Sequence, residues 1–413
     1  MRIAMFGTFS PLTERLSSAN TGMAILLSWS KRIDSIHLYA QEGAAIPYSS
    51  SRQKFIMGQP WRVDKTSSLV RTLVHMWRDS GVDVYFFNIS LTMFGKKKLT
   101  NVVGLLLPAI LSKLTRRKVV VYMHDFIETD EPAKFGYHIS KISKSLVSIL
   151  EHFIIRNTLV IVPRPSQKEI LERKYRRKIR SVIIPYIEGI QSSFGPYHDS
   201  GQTNPVSDVT KFLLFGKWGP QKDLYGGLRL LSDVIKAGYN ISITLAGSVN
   251  PNFPDYSLEM IRAMNTVPKH CLAYVGDVAE ENIAELFMKS DVLFLPYKSS
   301  GGYSGVMNLG ALYGLQIIAY EVEELREAAA SIGVDALFIN PDDPISVTQI
   351  ASIVEQARIR QSRSTMSVPQ KLELARERVE NIINILEPSN QAPTILSAKI
   401  ATDDKQLKRE NNV

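Results

Sequence analysis

The feature that most constrains this chain is a rhythm that runs twice. Short apolar stretches alternate with longer amphipathic ones. In the first half the short stretches are Arg2–Phe6, Ser35–Tyr39, Val82–Asn88, Lys118–Met123, Leu159–Val162 and Ser181–Ile184. Between them, helices are predicted near Glu14–Arg32, Ser67–Asp79, Val102–Leu114, Ile139–Arg156 and Ser166–Lys174. A run such as VVVYM has no polar face, which fits a strand buried on both sides. Strands that alternate with helices pair in parallel, because each helix supplies the crossover.

Residues 191–208 break the rhythm with a Ser-, Gly- and Pro-rich segment, QSSFGPYHDSGQTNPVSD, which reads as a linker. The alternation then restarts. Strands are expected at Phe212–Gly216, Ile241–Gly247, Leu272–Gly276, Val292–Pro296 and Ile317–Tyr320. Helices are expected at Asp223–Ala237, Tyr256–Met264, Ala279–Lys289, Gly305–Leu312 and Val347–Arg358. For 413 residues, two α/β domains are the natural division. They are expected at 1–190 and 209–368, followed by a helical stretch at 369–387 and a polar tail at 388–413, expected to be disordered.

Composition narrows the function classes. Cys271 is the one cysteine, so neither an intrachain disulfide nor a thiolate zinc cluster can form. The longest apolar run, Val102–Leu111, holds Gly104 and Pro108 and falls short of a membrane span. The N-terminus, MRIAMFGTFSP, does not resemble a signal peptide, so a cytoplasmic protein, free or peripheral on a membrane, is expected. The net charge of +9 is unevenly spread: residues 1–190 hold 29 Lys+Arg against 14 Asp+Glu, and the remainder 20 against 26. The excess gathers in Lys96–Lys98, Arg116–Lys118 and Arg173–Arg180. Solubilising charge is one reading; an anionic membrane surface is the other, and it is favoured over nucleic acid because no aromatic-interleaved basic module is present.

Four segments of the second half carry chemistry. FGKWGPQKD places Gly216 and Lys217 at a strand end and Lys222 at the start of a helix, an anion site unless both lysines are simply solvated. SSGGYSGV places Gly301 and Gly302 in a loop, with Tyr303, Ser304, Gly305 and Val306 opening a helix whose amides could cradle a phosphate. GDVAEEN sets Gly276 at a third strand end, and AGSVN does the same for Gly247. In open parallel sheets the carboxyl ends of the strands are the ligand edge.

The order of these segments resembles the donor-nucleotide half of family 4 glycosyltransferases, over about residues 210–345. That resemblance implies a GT-B architecture: two Rossmann-like parallel-sheet domains facing across a cleft, with a C-terminal helix crossing back to the first domain. Lys217 stands where the family usually has Arg, and Lys222 matches its Lys. Gly314–Ala319 resembles the family's G-x-P-V-I-A segment, and Asp342-Asp343-Pro344 its strand-exit turn. The sequence departs from the family at Gly301 and Leu309, where many members carry two glutamates eight positions apart; it follows a Ser-Gly-Val variant of the loop instead. Glu327 falls where many members keep a glutamate, and an exposed helix residue is the other reading.

In the first half, VVVYMHDF brings His124 and Asp125 to the ligand edge of a central strand. The resemblance implies that this pair lies in the cleft, with His124 on the donor sugar; a structural histidine is the alternative. LVIVPRPS resembles the family's strand leading to a Ser, here Ser166, before a helix. Gly22, in SSANTGMA, is the sole glycine in the acceptor-side region where the family has two.

The expected activity is therefore transfer of a sugar from a nucleotide diphosphate sugar to an acceptor hydroxyl on a glycan or lipid-linked acceptor. The resemblance implies retention of configuration, and the chain lacks Asp-x-Asp, so neither a metal nor another cofactor is expected. Two alternatives are a non-catalytic GT-B-like partner subunit and a nucleotide-sugar epimerase.

Overall fold

The computed structural model describes residues 1–9, 15–47, 52–91, 93–126, 140–182, 208–300, 304–360, 377 and 379–387. The first sheet has seven strands: β1 (Arg2–Phe6), β2 (Ser35–Tyr39), β3 (Phe55–Met57), β4 (Val84–Ile89), β5 (Lys118–Met123), β6 (Leu159–Val162) and β7 (Arg180–Ser181). Their order is β3-β2-β1-β4-β5-β6-β7, and every pair is parallel. The second sheet has six: β8 (Thr210–Phe215), β9 (Ile241–Ala246), β10 (Leu272–Gly276), β11 (Val292–Leu295), β12 (Gln316–Tyr320) and β13 (Ala336–Ile339). Its order is β10-β9-β8-β11-β12-β13, again all parallel. In each sheet the first strand sits centrally and the order reverses beside it, between β1 and β4 and between β8 and β11. The expected α/β architecture of two parallel-sheet domains is what the chain adopts.

Helices cover both faces of each sheet. In the first domain they are α1 (Arg15–Trp29), α2 (Thr66–Arg78), α3 (Lys98–Leu114), α4 (Lys141–Asn157) and α5 (Pro165–Tyr175). In the second they are α6 (Leu224–Lys236), α7 (Tyr256–Met264), α8 (Glu280–Met288), α9 (Gly305–Leu312), α10 (Glu323–Ile332) and α11 (Ile345–Arg360). The pleat divides each central strand between two cores. Ala4 and Phe6 face Leu69, Leu105, Ile154 and Leu171 from α2–α5, while Ile3 and Met5 face Met23 and Leu27 of α1.

Residues 379–386, labelled α12, are helical and finish that second core. Val379, Ile382, Ile383 and Leu386 are buried with α1 against the first sheet. Around them, Arg32 donates to Glu380 (2.7 Å) and to Asn384 (2.9 Å), and Lys118 Nζ donates to the Glu387 carbonyl (2.8 Å). The C-terminal helix thus crosses back to the first domain, as the sequence implied.

Several expectations shift. β3 and β13 were not read from the sequence: each is a short edge strand of three or four residues, Ile56 and Met57 of β3 are exposed, and most of β13 is only half-buried. Helix α10 was likewise missed. The strand expected at 181–184 is shorter, at Arg180–Ser181; residues 183–190 lie outside the described residues, as do nearly all of the 191–208 linker and the 388–413 tail.

Ile382 and Ile383 are fully buried, so truncating either should open a cavity in the first domain although both lie at the chain's far end. Ile382→Ala is expected to lower unfolding stability by about 2–5 kcal/mol. Urea unfolding of the full chain checks this; a loss under about 0.5 kcal/mol would place α12 off the core.

Candidate active site

The second sheet presents three glycines at its carboxyl edge: Gly216 after β8, Gly247 after β9 and Gly276 ending β10, all with positive φ. Gly247 N–H donates to the Gly276 carbonyl (2.5 Å), and Gly216 N–H to the Ala246 carbonyl (3.1 Å). A Cβ on Gly247 would run into the Gly216 carbonyl oxygen. At Gly247 the strand ends can therefore pack this closely only without a side chain.

The two lysines read from FGKWGPQKD have different surroundings. Lys217 is exposed and reaches Asp277 (2.7 Å) and Ser248 (2.9 Å), which pulls the Asp277 carboxyl below the usual range. Lys222 is no solvated loop lysine. It is buried, with Nζ 4.5 Å from the centre of the Tyr297 ring and 5.4 Å from that of Trp218. Its backbone is fixed by a bridge to Tyr297, and its carbonyl accepts from Tyr256 Oη (2.9 Å). Rings can hold a cation through their quadrupole, a partner set that spacing alone does not reveal.

Ser304 caps α9: its Oγ accepts from Met307 N–H (3.3 Å), so the side chain serves the helix itself while Gly305 and Val306 form the first turn. Gly301, Gly302 and Tyr303 lie outside the described residues. Leu309, at the position of the family's second glutamate, is buried in an apolar core with Leu293 and Phe287.

At the carboxyl edge of the first sheet, His124 follows β5, and its N–H donates to the Ile89 carbonyl (3.2 Å). Its Nε2 lies 2.6 Å from Asn88 Oδ1. Burial lowers the His124 pKa to about 4, so the ring is neutral near pH 7. Asp125 faces the other way: its carboxylate accepts from Leu91 N–H (3.3 Å) and holds the loop after β4. Gly22 lies inside α1, buried, and not in a loop before the helix.

Three polar residues here were not anticipated. Asn20 donates to the Thr8 carbonyl (2.8 Å) just past β1, Gln41 exchanges two hydrogen bonds with the Phe9 backbone (2.6 and 2.8 Å), and Asn88 meets His124. All three are buried. Lone Asn and Gln residues carry no sequence signature; only their meeting beside the strand ends, Asn20 from α1 and the other two from the strands themselves or just past them, marks them.

The two edges meet. Ser166, in the first turn of α5, donates from its N–H to Glu327 Oε1 (2.5 Å) and from its Oγ to Oε2 (2.6 Å). α5 starts at the carboxyl edge of the first sheet, and α10, which carries Glu327, follows the carboxyl end of β12. Glu327 is therefore a partner of the other domain, not an exposed helix residue. A carboxylate at a helix N-terminus also gains from the helix dipole.

By sequence, no family profile matches the chain and no curated protein is similar to it. By structure, HepE of Anabaena, crystallised with UDP-glucose, is similar with a TM-score of 0.56 and 13% identity over 93% of this chain and 100% of that one. A glycosyltransferase from Rickettsia africae gives 0.59 and 12%, over 92% and 93%. A putative UDP-N-acetylglucosamine 2-epimerase from Listeria monocytogenes gives 0.51 and 8%, over 95% and 99%. At these identities the likeness establishes the fold: both parallel-sheet domains match GT-B structures along almost their whole length.

Gly247→Ala should damage this edge selectively, since both its φ and the Gly216 carbonyl exclude a methyl group. A stability loss of about 1–3 kcal/mol is expected. Gly238→Ala, also at positive φ but with open space around it, is the control and should cost less. Equal losses in thermal melts would show that strain alone, and not close packing, sets the requirement.

Proposed function

We propose that this chain is a family 4-like glycosyltransferase that moves a sugar from a nucleotide diphosphate sugar to an acceptor hydroxyl. The observation that carries this reading is the glycine-lined carboxyl edge of the second sheet, flanked by Lys217, Lys222 and the start of α9 and joined to the His124 edge through Ser166–Glu327. Glycines admit a ligand close to the backbone; the lysines and the first α9 amides favour an anion. A nucleoside diphosphate has that chemistry. The GT-B likeness supports the reading, as does the UDP-glucose in HepE.

In the proposed reaction the bond between the sugar's anomeric carbon and the diphosphate oxygen breaks. The acceptor oxygen takes its place with retention, and the acceptor's proton passes to the leaving diphosphate. Negative charge grows on that diphosphate, where Lys217 and Lys222 would stabilise it. To do so, Lys217 would exchange Asp277 for phosphate. His124, across the cleft, would face the sugar. Neither a metal nor another cofactor is assigned a role.

The test is a hydrolysis and transfer screen over UDP-, GDP- and ADP-sugars with EDTA present. Lys217→Ala and Lys222→Ala should each reduce turnover about 100-fold or more, for a barrier rise of about 2.7–4 kcal/mol, with folding intact. Unchanged turnover in both would sink the diphosphate assignment. One observation favours a second reading, a non-catalytic partner subunit: Leu309 gives an apolar core residue where a ribose-holding carboxylate is usual. A folded protein that binds nucleotide and turns over no donor would select that reading.

We also propose reversible docking on an anionic membrane surface at the cytoplasmic face, which would bring a lipid-linked or surface-glycan acceptor to the cleft. Among the described residues, no helix is long and apolar enough to cross a membrane. Helix α4 instead carries a second, outward apolar stripe: Ile142 (83% exposed), Leu146 (45%) and Ile149 (64%), at helical spacing of four and three. Lys141 and Lys144 lie on the same helix, and α5, which ends in Arg173 and Lys174, packs beside it. An apolar stripe bordered by lysines fits an anionic interface. The full chain should co-sediment with anionic vesicles at low salt, release at about 0.5 M salt and ignore neutral vesicles. Changing Ile142, Leu146 and Ile149 to Ser should weaken binding. Equal sedimentation with neutral vesicles would refute the surface.

A further inference from the structure

Asn88 and His124 occupy neighbouring strand ends. Asn88 is the penultimate residue of β4 and pairs in register with Tyr122, two residues before His124. The backbone bond from His124 N–H to Ile89 fixes the exit from β5, and the 2.6 Å contact from Nε2 to Asn88 Oδ1 fixes the ring. An amide oxygen only accepts, so the proton lies on Nε2 and Nδ1 keeps a lone pair. Among the described residues, Nδ1 has no hydrogen-bond partner.

Among the described residues, the groups in contact with the ring are uncharged. Asn88 comes from β4, Tyr122 meets the ring edge-on (4.9 Å) from β5, and Gln167 of α5 reaches the His124 carbonyl (3.5 Å). Asp125, next in the chain, is turned to Leu91. Among the described residues no charged group offsets the lost hydration, and burial lowers the His124 pKa so that the ring is neutral near pH 7. A neutral ring with a bare nitrogen can accept a hydrogen bond but cannot donate one from that atom.

We propose that Asn88 is a positioning residue that holds His124 in its Nε2–H tautomer, so that Nδ1 accepts from a sugar hydroxyl and disfavours a carboxylate-bearing sugar. The substrate class is thereby a nucleotide-linked neutral hexose, not a hexuronate; this rests on the reading that His124 faces the donor sugar. A carboxylate at Nδ1 would set two lone pairs against each other with no proton between them. Desolvation makes that mismatch costly.

The test uses the full chain labelled with 15N-histidine, with His124→Gln identifying the His124 signals. In the unsubstituted protein, those signals should be neutral, Nε2-protonated imidazole from about pH 5.5 to 8. Asn88→Leu should mix the two tautomers. Asn88→Asp, which sets a carboxylate on Nε2–H, should raise the His124 titration by more than about one pH unit. An Nδ1–H tautomer in the unsubstituted protein would overturn the proposal, as would His124 signals unchanged in a folded Asn88→Leu. These spectra need no turnover, so if no donor reacts, the transfer reading fails while the spectra still decide the tautomer. For the donor selected by the screen, the hexose should be used about tenfold or more better than the matching hexuronate. In Asn88→Asp that ratio should shrink as pH falls and His124 gains its proton. Equal use of the hexuronate by the unsubstituted protein would overturn the selectivity.

Discussion

The structure depends on parallel pairing at the centre of each sheet. β1 pairs with β2 on one side and β4 on the other, and β8 pairs with β9 and β11. Parallel strands need long crossovers, so every connection must leave by the carboxyl edge and return over a face. Where the order reverses, crossovers depart to opposite faces and leave a crevice between them. His124, Asn88 and Asn20 lie at or near that edge of the first sheet, and Gly216, Lys217 and Gly247 at that of the second. Their convergence is a consequence of connectivity, with residues far apart in the chain delivered to one rim.

Packing then sets what each edge can do. Both faces of the sheets are sealed by apolar cores, so polar groups at strand ends lie between a dry interior and the cleft. A charge there loses hydration and needs a dedicated partner. Lys222 has the rings of Trp218 and Tyr297, while His124 has only neutral partners among the described residues and sheds its proton. The same two-domain scaffold thus holds a cation on one rim and a neutral hydrogen-bonding ring on the other. On the proposed reading, the first of these would face a phosphate end of the ligand and the second a sugar end.

Much of this was legible in the sequence. Apolar runs marked the inner strands because a strand buried on both faces has no polar side, and β5 and β6 fall where they were expected; β2 and β10 do too, although β10 is an edge strand and largely exposed. The strand-end glycines and His124 were legible for the same reason: each directly follows such a run. What escaped notice was short or half-buried, as with β3 and β13, or polar without a motif, as with Asn20, Gln41 and Asn88. A single Asn looks the same in a loop and in a core until its neighbours are known.

The sequence by itself determined the alternation of strand and helix, the parallel pairing it forces and the glycines at the strand ends, because these follow from periodicity and local backbone freedom. Only the tertiary structure decided which distant residues meet. It set α12 on the first domain through Ile382 and Ile383, joined Ser166 to Glu327 across 161 positions, and enclosed Lys222 between two aromatic rings. Those contacts depend on chain closure and desolvation, which act through space and leave no period in the sequence.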